Sequence, residues 1–170
     1  RVELTHKKQI ARDIFELNFS KPPDFSYTAG QFVQFLVSDG REHVLRSYSI
    51  SSAPHDSHLE FCIKILDGGR ASSMVMKMQE GDELAFRGPR GRFVCSSESR
   101  HLYFVATGAG IAPIMGMIRD ELEYQKTDKK IHLLFGVRCE EDIFWTARLD
   151  ALAQKYDNFK YSLTVSRPSS

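Results

Sequence analysis

Long hydrophobic runs are missing from this chain. The longest apolar stretches, such as IHLLFGV at 131–137, fall far short of the roughly 20 residues a membrane-spanning helix needs. Cysteine is scarce as well. Cys62, Cys95 and Cys139 are widely spaced and form no C-x-x-C pair, which argues against a zinc knuckle or an iron–sulfur cluster within the chain. An excess of either charge is also lacking: 23 Lys and Arg against 22 Asp and Glu leave a net charge of +1. Bulk electrostatics therefore offer no case for nucleic acid or an anionic membrane. No signal-peptide pattern opens the chain, which begins at Arg1 without a Met. Thiols in apolar surroundings and no export pattern lead to the expectation of a reducing, cytoplasmic setting.

What is present divides into two textures. The first half reads as six short strands: Val2–Ile10, Ile14–Phe19, Gln31–Ser38, His43–Ser51, Leu59–Leu66 and Glu83–Arg87. Turn signals separate them (KPPD, TAG, SDG, SSAPHDS, DGG, EGDE, GPRG), and one short helical pattern covers Ser72–Met78. Six short strands with tight turns predict a small antiparallel barrel, since closure removes exposed edges. After the SSES stretch at 96–99 the pattern alternates strand and helix. HLYFVAT, KIHLLFGV and YSLTVS read as strands. IAPIMGMIRDELEY and DIFWTARLDALAQKY read as helices, the first with Ile111, Ile114, Met115, Ile118 and Leu122 on one face and the second with Leu149, Leu152 and Tyr156 inward. This β-α-β-α-β order predicts a parallel sheet with right-handed crossovers, here only three strands wide. The boundary falls near Ser97, giving units over 1–97 and 98–170.

Four segments carry candidate chemistry. In HVLRSYSISSAP, Arg46 and Tyr48 alternate with Ser47 and Ser49 inside an apolar strand, where an unpaired cation is costly unless an anion meets it. In DGGRASSM, two glycines precede a helix start at which Ser72 and Ser73 are expected caps, and free N–H groups there would attract an anion. In VATGAGIAP, a strand runs through Gly108 and Gly110 into a helix expected to begin near Pro113, a shape shared by nucleotide sites, methyltransferase loops and plain tight turns. In TVSRP, Ser166 and Arg167 lie at the carboxyl end of a parallel strand, where ligands of such sheets bind. Other features read as structural. His55, Asp56 and His58 sit in a turn without metal-ligand spacing, the acidic run Glu140–Asp142 suits a helix start, and Trp145 reads as packing. No spacing argues for a Ser-His-Asp set or a carboxylate pair.

Taken in order, RSYS, GGRAS, GPRGRF (Gly88–Phe93), TGAGIAP, FGVR (Phe135–Arg138) and SRP resemble the motifs of the ferredoxin–NADP reductase superfamily over nearly the whole chain. The resemblance implies a β + α/β fold: a six-stranded antiparallel flavin-binding barrel followed by a partial parallel α/β nucleotide-binding domain. It implies FAD, with FMN the lesser choice, and NADP or NAD as hydride donor. By position, Arg46 would pair with the flavin phosphates, Tyr48 would lie on the ring, and Ser49 would sit at the hydride-accepting edge, so Tyr48 and Ser49 carry the catalytic expectation. Ile63 and Lys64 would offer main-chain groups, and Gly69 and Ser72 would cradle the pyrophosphate. Thr107, Gly108, Gly110 and Pro113 would underlie the nicotinamide nucleotide. Arg138, Ser166 and Arg167 would face its adenosine side. The family's last strand, with its C-G-x-P motif, has no counterpart here, because Cys139 is followed by Glu140 and the sequence ends at Ser170. The resemblance therefore implies a C-terminally truncated member. Its implied role is an NAD(P)H-dependent flavin reductase passing electrons to a protein or small-molecule acceptor, with ferredoxin, haem or iron–sulfur partners expected. The alternatives are an electron-transfer module of a larger redox enzyme and, from a different class, a non-flavin nucleotide-binding or methyltransferase-like domain.

Overall fold

The computed structural model describes residues 1–38 and 42–168, so the expected SDG turn lies partly outside the described residues. Strands β1 (Val2–Ala11), β2 (Ile14–Ser20), β3 (Phe32–Ser38), β4 (His43–Ser49) and β5 (His58–Lys64) lead to helix α1 (Arg70–Lys77) and to strands β6 (Glu83–Leu84) and β7 (Phe86–Arg90). They form two antiparallel sheets, ordered β5-β2-β1-β6 and β4-β3-β7. The single strand expected at 83–87 is a corner. Its first part pairs with β1, its second with β3, and Ala85 accepts a hydrogen bond from the Leu36 N–H as the chain changes sheets. The barrel count is thus seven with the two-residue β6.

The inward residues of both sheets make one core. Leu4, Leu17, Phe19, Val33, Phe35, Leu59, Phe61 and Ile63 are all within 1% of full burial, and Phe61 meets Phe35 edge-on at 4.9 Å. Burying each such side chain is worth about 1.5–3 kcal/mol, which is why alternation along these strands was readable.

The second unit contains β8 (His101–Thr107), α2 (Ile111–Arg119), β9 (Lys130–Val137), α3 (Thr146–Lys155) and β10 (Phe159–Val165). Its strands are parallel, in the order β10-β9-β8. Two helical expectations change in detail. After Arg119 the helix loosens into a π turn at Asp120–Tyr124, with the Gln125 N–H reaching back to the Asp120 carbonyl. An α-helix would turn residues five apart to different faces, whereas the wider turn lets both Arg119 and Tyr124 reach Asp56. The helix expected from Asp142 starts only at Thr146: Glu140–Asp142 is one 3₁₀ turn, and Trp145 holds a left-handed conformation at φ 60°.

The two units share a core. Ile14 and Cys62, outward-facing on β2 and β5, are each 5% exposed and pack with Ala112, Ile111 and Trp145 of the second unit. Polar contacts ring this patch. Asp56 accepts both guanidinium nitrogens of Arg119, at 2.5 and 3.1 Å, and the Tyr124 hydroxyl at 2.8 Å. At the opposite edge Arg12 reaches Glu141 and Asp142, an exposed set that contributes little. Gly116 lets α2 approach the segment after β4, since a Cβ there would lie 2.8 Å from the Ser52 carbonyl oxygen.

Two predictions follow from this contact. Gly116→Ala gains up to about 1 kcal/mol in helix propensity but forces backbone apart at a cost of about 1–3 kcal/mol, so urea denaturation should find the variant less stable. Burial pushes the Asp56 carboxyl up, but hydrogen bonds from Arg119 and Tyr124, the Arg119 charge and the Ala53 N–H outweigh it and hold the group below the usual carboxylate range. A depressed carboxylate contributes stability above its unfolded value, near pH 4, that is lost as pH falls through the folded value. Asp56→Asn should therefore cost about 3 kcal/mol at neutral pH, and its gap to the parent protein should close as acid denaturation proceeds below about pH 4.

Candidate functional site: a split barrel seam

β4 and β5 are the edges of their sheets, and they meet only at one end. There Ser51 donates its N–H to the Glu60 carbonyl at 2.8 Å, and Glu60 donates its N–H to the Ser52 hydroxyl at 3.0 Å. Beyond this zipped end the strands diverge into a slot of about 610 Å³. Arg46, Ser47, Tyr48 and Ser49 line one wall, Cys62 and Lys64 the other, and Gly68–Ser72 at the start of α1 close the far side. Alternation does separate Arg46 and Tyr48 from Ser47 and Ser49. Arg46 is opposite Phe35 and Tyr48 opposite Val33, both inward positions. All four still line the slot because an unpaired strand edge presents its backbone and both side-chain rows to whatever lies alongside.

The slot carries positive charge at Arg46, Lys64 and Arg70. Arg46 is exposed, and its guanidinium reaches only the Leu45 carbonyl, at 3.0 Å. Arg70, its neighbour in the slot, pairs instead with Glu42 at 3.0 Å. Arg46 forms no ion pair with any described residue. The helix start adds to this field, because first-turn N–H groups have no partner within their own helix. Gly69 is the residue preceding α1, and no side chain caps the helix. This corrects the expectation that Ser72 and Ser73 are caps. Ser72 lies within the first turn, and its hydroxyl accepts the Leu66 N–H at 2.8 Å, folding the turn back on the end of β5. A Cβ at Gly69 would sit 2.9 Å from that hydroxyl, so only glycine leaves the helix mouth open.

The remaining walls are less polar. Tyr48 is half-buried with its ring 5.5 Å from that of Phe35, and burial pushes its phenol up against the opposing pull of Arg46. Ile63 buries its side chain in the barrel core and leaves only main chain toward the seam. Burial pushes the Cys62 thiol well up, the Glu60 and Glu16 charges push it further, and it stays neutral.

A second cleft, of about 430 Å³, lies at the carboxyl ends of β8, β9 and β10. Thr107, Gly108, Ala109, Gly136, Arg138, Thr164 and Ser166 line it, with Asp13, Ile14 and Asp142 at its barrel side. Gly108 has φ 49° at the head of a 3₁₀ turn, Gly108–Gly110, that leads into α2 at Ile111, two residues before the expected start. Gly110 and Pro113 lie behind this lining rather than in it. Arg167 is exposed at the rim, tied by its N–H to the Arg138 carbonyl at 2.7 Å, while Ser166 is tied to Val137 at 3.0 Å. Lys64 and Ala109 line both the slot and the cleft, so the two spaces meet there. Sequence reasoning missed Ala109, Ala112, Cys62, Arg70, Asp13 and Asp142. Alanines beside a glycine turn carry no chemical signal, and the acids arrive from a turn and a distant loop. Gly136, an isolated glycine late in a strand, was the one usable hint.

An anionic diphosphate fits Arg46, which has no ion pair among the described residues, and the open mouth at Gly69, and a flat ring fits the half-buried Tyr48. The comparisons with known proteins agree. The oxidoreductase FAD-binding domain profile matches residues 1–95, and the oxidoreductase NAD-binding domain profile matches residues 104–170. The chain belongs to this family, the ferredoxin–NADP reductase superfamily of FAD- and NAD(P)-binding oxidoreductases. It is 35% identical over 158 residues to ferredoxin–NADP reductase B of Sorangium cellulosum, an alignment covering 89% of this chain and 64% of that protein. It is 32% identical over 170 residues to the toluate 1,2-dioxygenase electron transfer component of Pseudomonas putida, covering 98% of this chain and 50% of that one. The solved ferredoxin–NADP⁺ reductase from Plasmodium falciparum shares its fold at a TM-score of 0.88 and 21% identity, over 99% of this chain and 72% of that one. The chain thus spans about half to two thirds of these two curated relatives and 72% of that solved chain. Membership removes the methyl-transfer reading. No helix among the described residues is long and apolar enough to cross a membrane.

Gly69→Val should close the helix mouth and weaken FAD binding about tenfold, roughly 1.4 kcal/mol. Titration of FAD onto stripped protein, followed by flavin fluorescence, measures this.

Proposed function

We propose that the chain is the flavin- and nicotinamide-binding portion of an NAD(P)H-dependent oxidoreductase, with residues 1–97 holding FAD and 98–170 receiving the nicotinamide nucleotide. The observation that carries this reading is the meeting of slot and cleft at Lys64 and Ala109, which would set donor and acceptor side by side. FAD, when bound, supplies hydride acceptance and release of electrons singly or in pairs.

The chain's own residues supply binding and orientation. Arg46 neutralises the diphosphate, and the N–H groups at the start of α1 add donors along its other side. Tyr48 would offer its ring as a platform, and the Ser49 hydroxyl would serve the flavin as a hydrogen-bonding group. Ile63 and Lys64 contribute main chain, Gly69 leaves clearance, and Ser72 holds the turn shut. Thr107 and Gly108 let the nicotinamide nucleotide approach the backbone, with Gly110 and Pro113 fixing the turn behind them. Arg138, Ser166 and Arg167 take the adenosine end, and two guanidinium groups with a hydroxyl favour a ribose phosphate, hence NADPH over NADH. The two bound groups together would exclude water from the junction at Lys64 and Ala109.

The acceptor we propose is a redox protein or domain of ferredoxin, haem or iron–sulfur type. The names of two relatives, a ferredoxin–NADP reductase and a dioxygenase electron transfer component, support that class. The second of these also favours a closely related reading, in which the chain is the electron-transfer module of a larger enzyme. Three free cysteines suit a cytoplasmic setting.

Purified protein should be yellow, and its flavin bands should bleach on anaerobic addition of NADPH. A colourless protein that takes up no added FAD, or bands indifferent to both nucleotides, would overturn the proposal. Arg167→Ala should lower the NADPH-to-NADH preference about tenfold or more, the loss of one charge-assisted contact of about 1.5–3 kcal/mol. Measured kcat/KM for each nucleotide checks it.

A further inference from the structure

Away from both clefts, a cluster of buried charge joins the barrel to α3. Glu16 and Glu60 project from the outer faces of β2 and β5, and Glu60 is 5% exposed. Arg148 of α3 donates to Glu16 Oε2 at 3.1 Å and to both Glu60 oxygens at 3.0–3.2 Å. Trp145 donates its indole N–H to the same Glu16 oxygen at 2.7 Å, and the Arg148 guanidinium lies 4.6 Å from the centre of the Trp145 ring. Ser51 donates its hydroxyl to Glu60 at 2.9 Å. Trp145 meanwhile has φ 60°, which a bulky residue adopts only where its surroundings enforce it.

Connectivity gives the cluster a role. Ser51 directly continues the Arg46–Ser49 wall of the slot. Trp145 lies three residues after Asp142, part of the cleft lining. Glu60, Cys62 and Lys64 are successive residues on one face of β5, and the last of them lines both spaces. None of Glu16, Glu60, Trp145 or Arg148 lines either space.

We propose that Arg148 is a positioning residue: acting through Glu16, Glu60 and Trp145, it fixes the nucleotide cleft against the flavin slot so that they meet at Lys64 and Ala109. Its consequence for hydride transfer rests on the flavin reading above, whereas the clamp itself does not. A displacement of about 1 Å at a reacting centre can slow the reaction about 100-fold, so a clamp remote from the chemistry is worth holding rigid.

Trp145 is the only tryptophan in the chain, so its fluorescence reports on the clamp directly. Three variants separate clamp from fold: Arg148→Met, Arg148→Lys, and the triple Glu16→Gln/Glu60→Gln/Arg148→Met, which leaves no buried carboxylate unpaired. In Arg148→Met we expect red-shifted, several-fold more acrylamide-quenchable emission, altered energy transfer from Trp145 to bound FAD, unchanged FAD affinity, and bleaching by NADPH slowed about 100-fold. The triple variant should fold at parental stability yet show the same slow bleaching. Arg148→Lys should rescue only in part, since a point charge cannot serve two carboxylates as a planar fork does. Unchanged quenching in flavin-free Arg148→Met overturns the clamp whatever the cofactor does. Altered quenching with parental bleaching and energy transfer overturns the positioning role. If the parent itself takes up no FAD, it is the flavin reading that fails, and quenching in the stripped protein still decides the clamp. If the parent holds FAD but does not bleach, energy transfer decides the positioning.

Discussion

The structure depends on a seam that is not allowed to close. Two antiparallel sheets share one apolar core, yet among the described residues the β4 and β5 edges are joined where Ser51 and Ser52, just past β4, bond to Glu60, and beyond that they part. Unpaired strand edges are a liability, and a protein that leaves two facing each other needs an occupant for the gap. The gap contains an arginine on an inward row that meets no carboxylate among the described residues, a helix start with no capping side chain, and a glycine where a Cβ would crowd the Ser72 hydroxyl. Together they suit an anion attached to a flat ring.

The parallel unit gains its place by contributing to the same core. Ile14 and Cys62 belong to barrel strands but are buried among residues of the second unit. Apolar contact supplies attraction without direction, and the buried ion pairs at Asp56 and at Glu16 and Glu60 supply direction. The carboxyl ends of β8–β10 are thereby held beside the outer end of β5, which makes Lys64 common to both spaces.

Much of this was legible in the sequence. The strands were readable because half-buried sheets impose a period of two, and the slot was readable because Arg46 breaks that pattern with a charge. The four chemical segments found in sequence all lie at the two spaces or just behind them. Most of the misses share a cause: they are decided by contacts between residues far apart in the chain. The corner at Ala85 follows from which neighbour each half of the segment pairs with. The π turn follows from Asp56, 63 residues from Arg119, and the delayed start of α3 goes with the bond between Trp145 and Glu16. Ser72 looked like a cap because serine favours that position, but the Leu66 N–H claims its hydroxyl.

The proposed flavin reading rests on the Arg46 guanidinium, which forms no ion pair with any described residue, taking a bound diphosphate as its partner. The most direct measurement is the FAD dissociation constant of the parent, Arg46→Lys and Arg46→Ala proteins across a range of salt concentrations. Affinity should fall at least tenfold in Arg46→Ala and less in Arg46→Lys, and the parent's salt dependence should be flattened in Arg46→Ala. Equal affinities with equal salt dependence would contradict it.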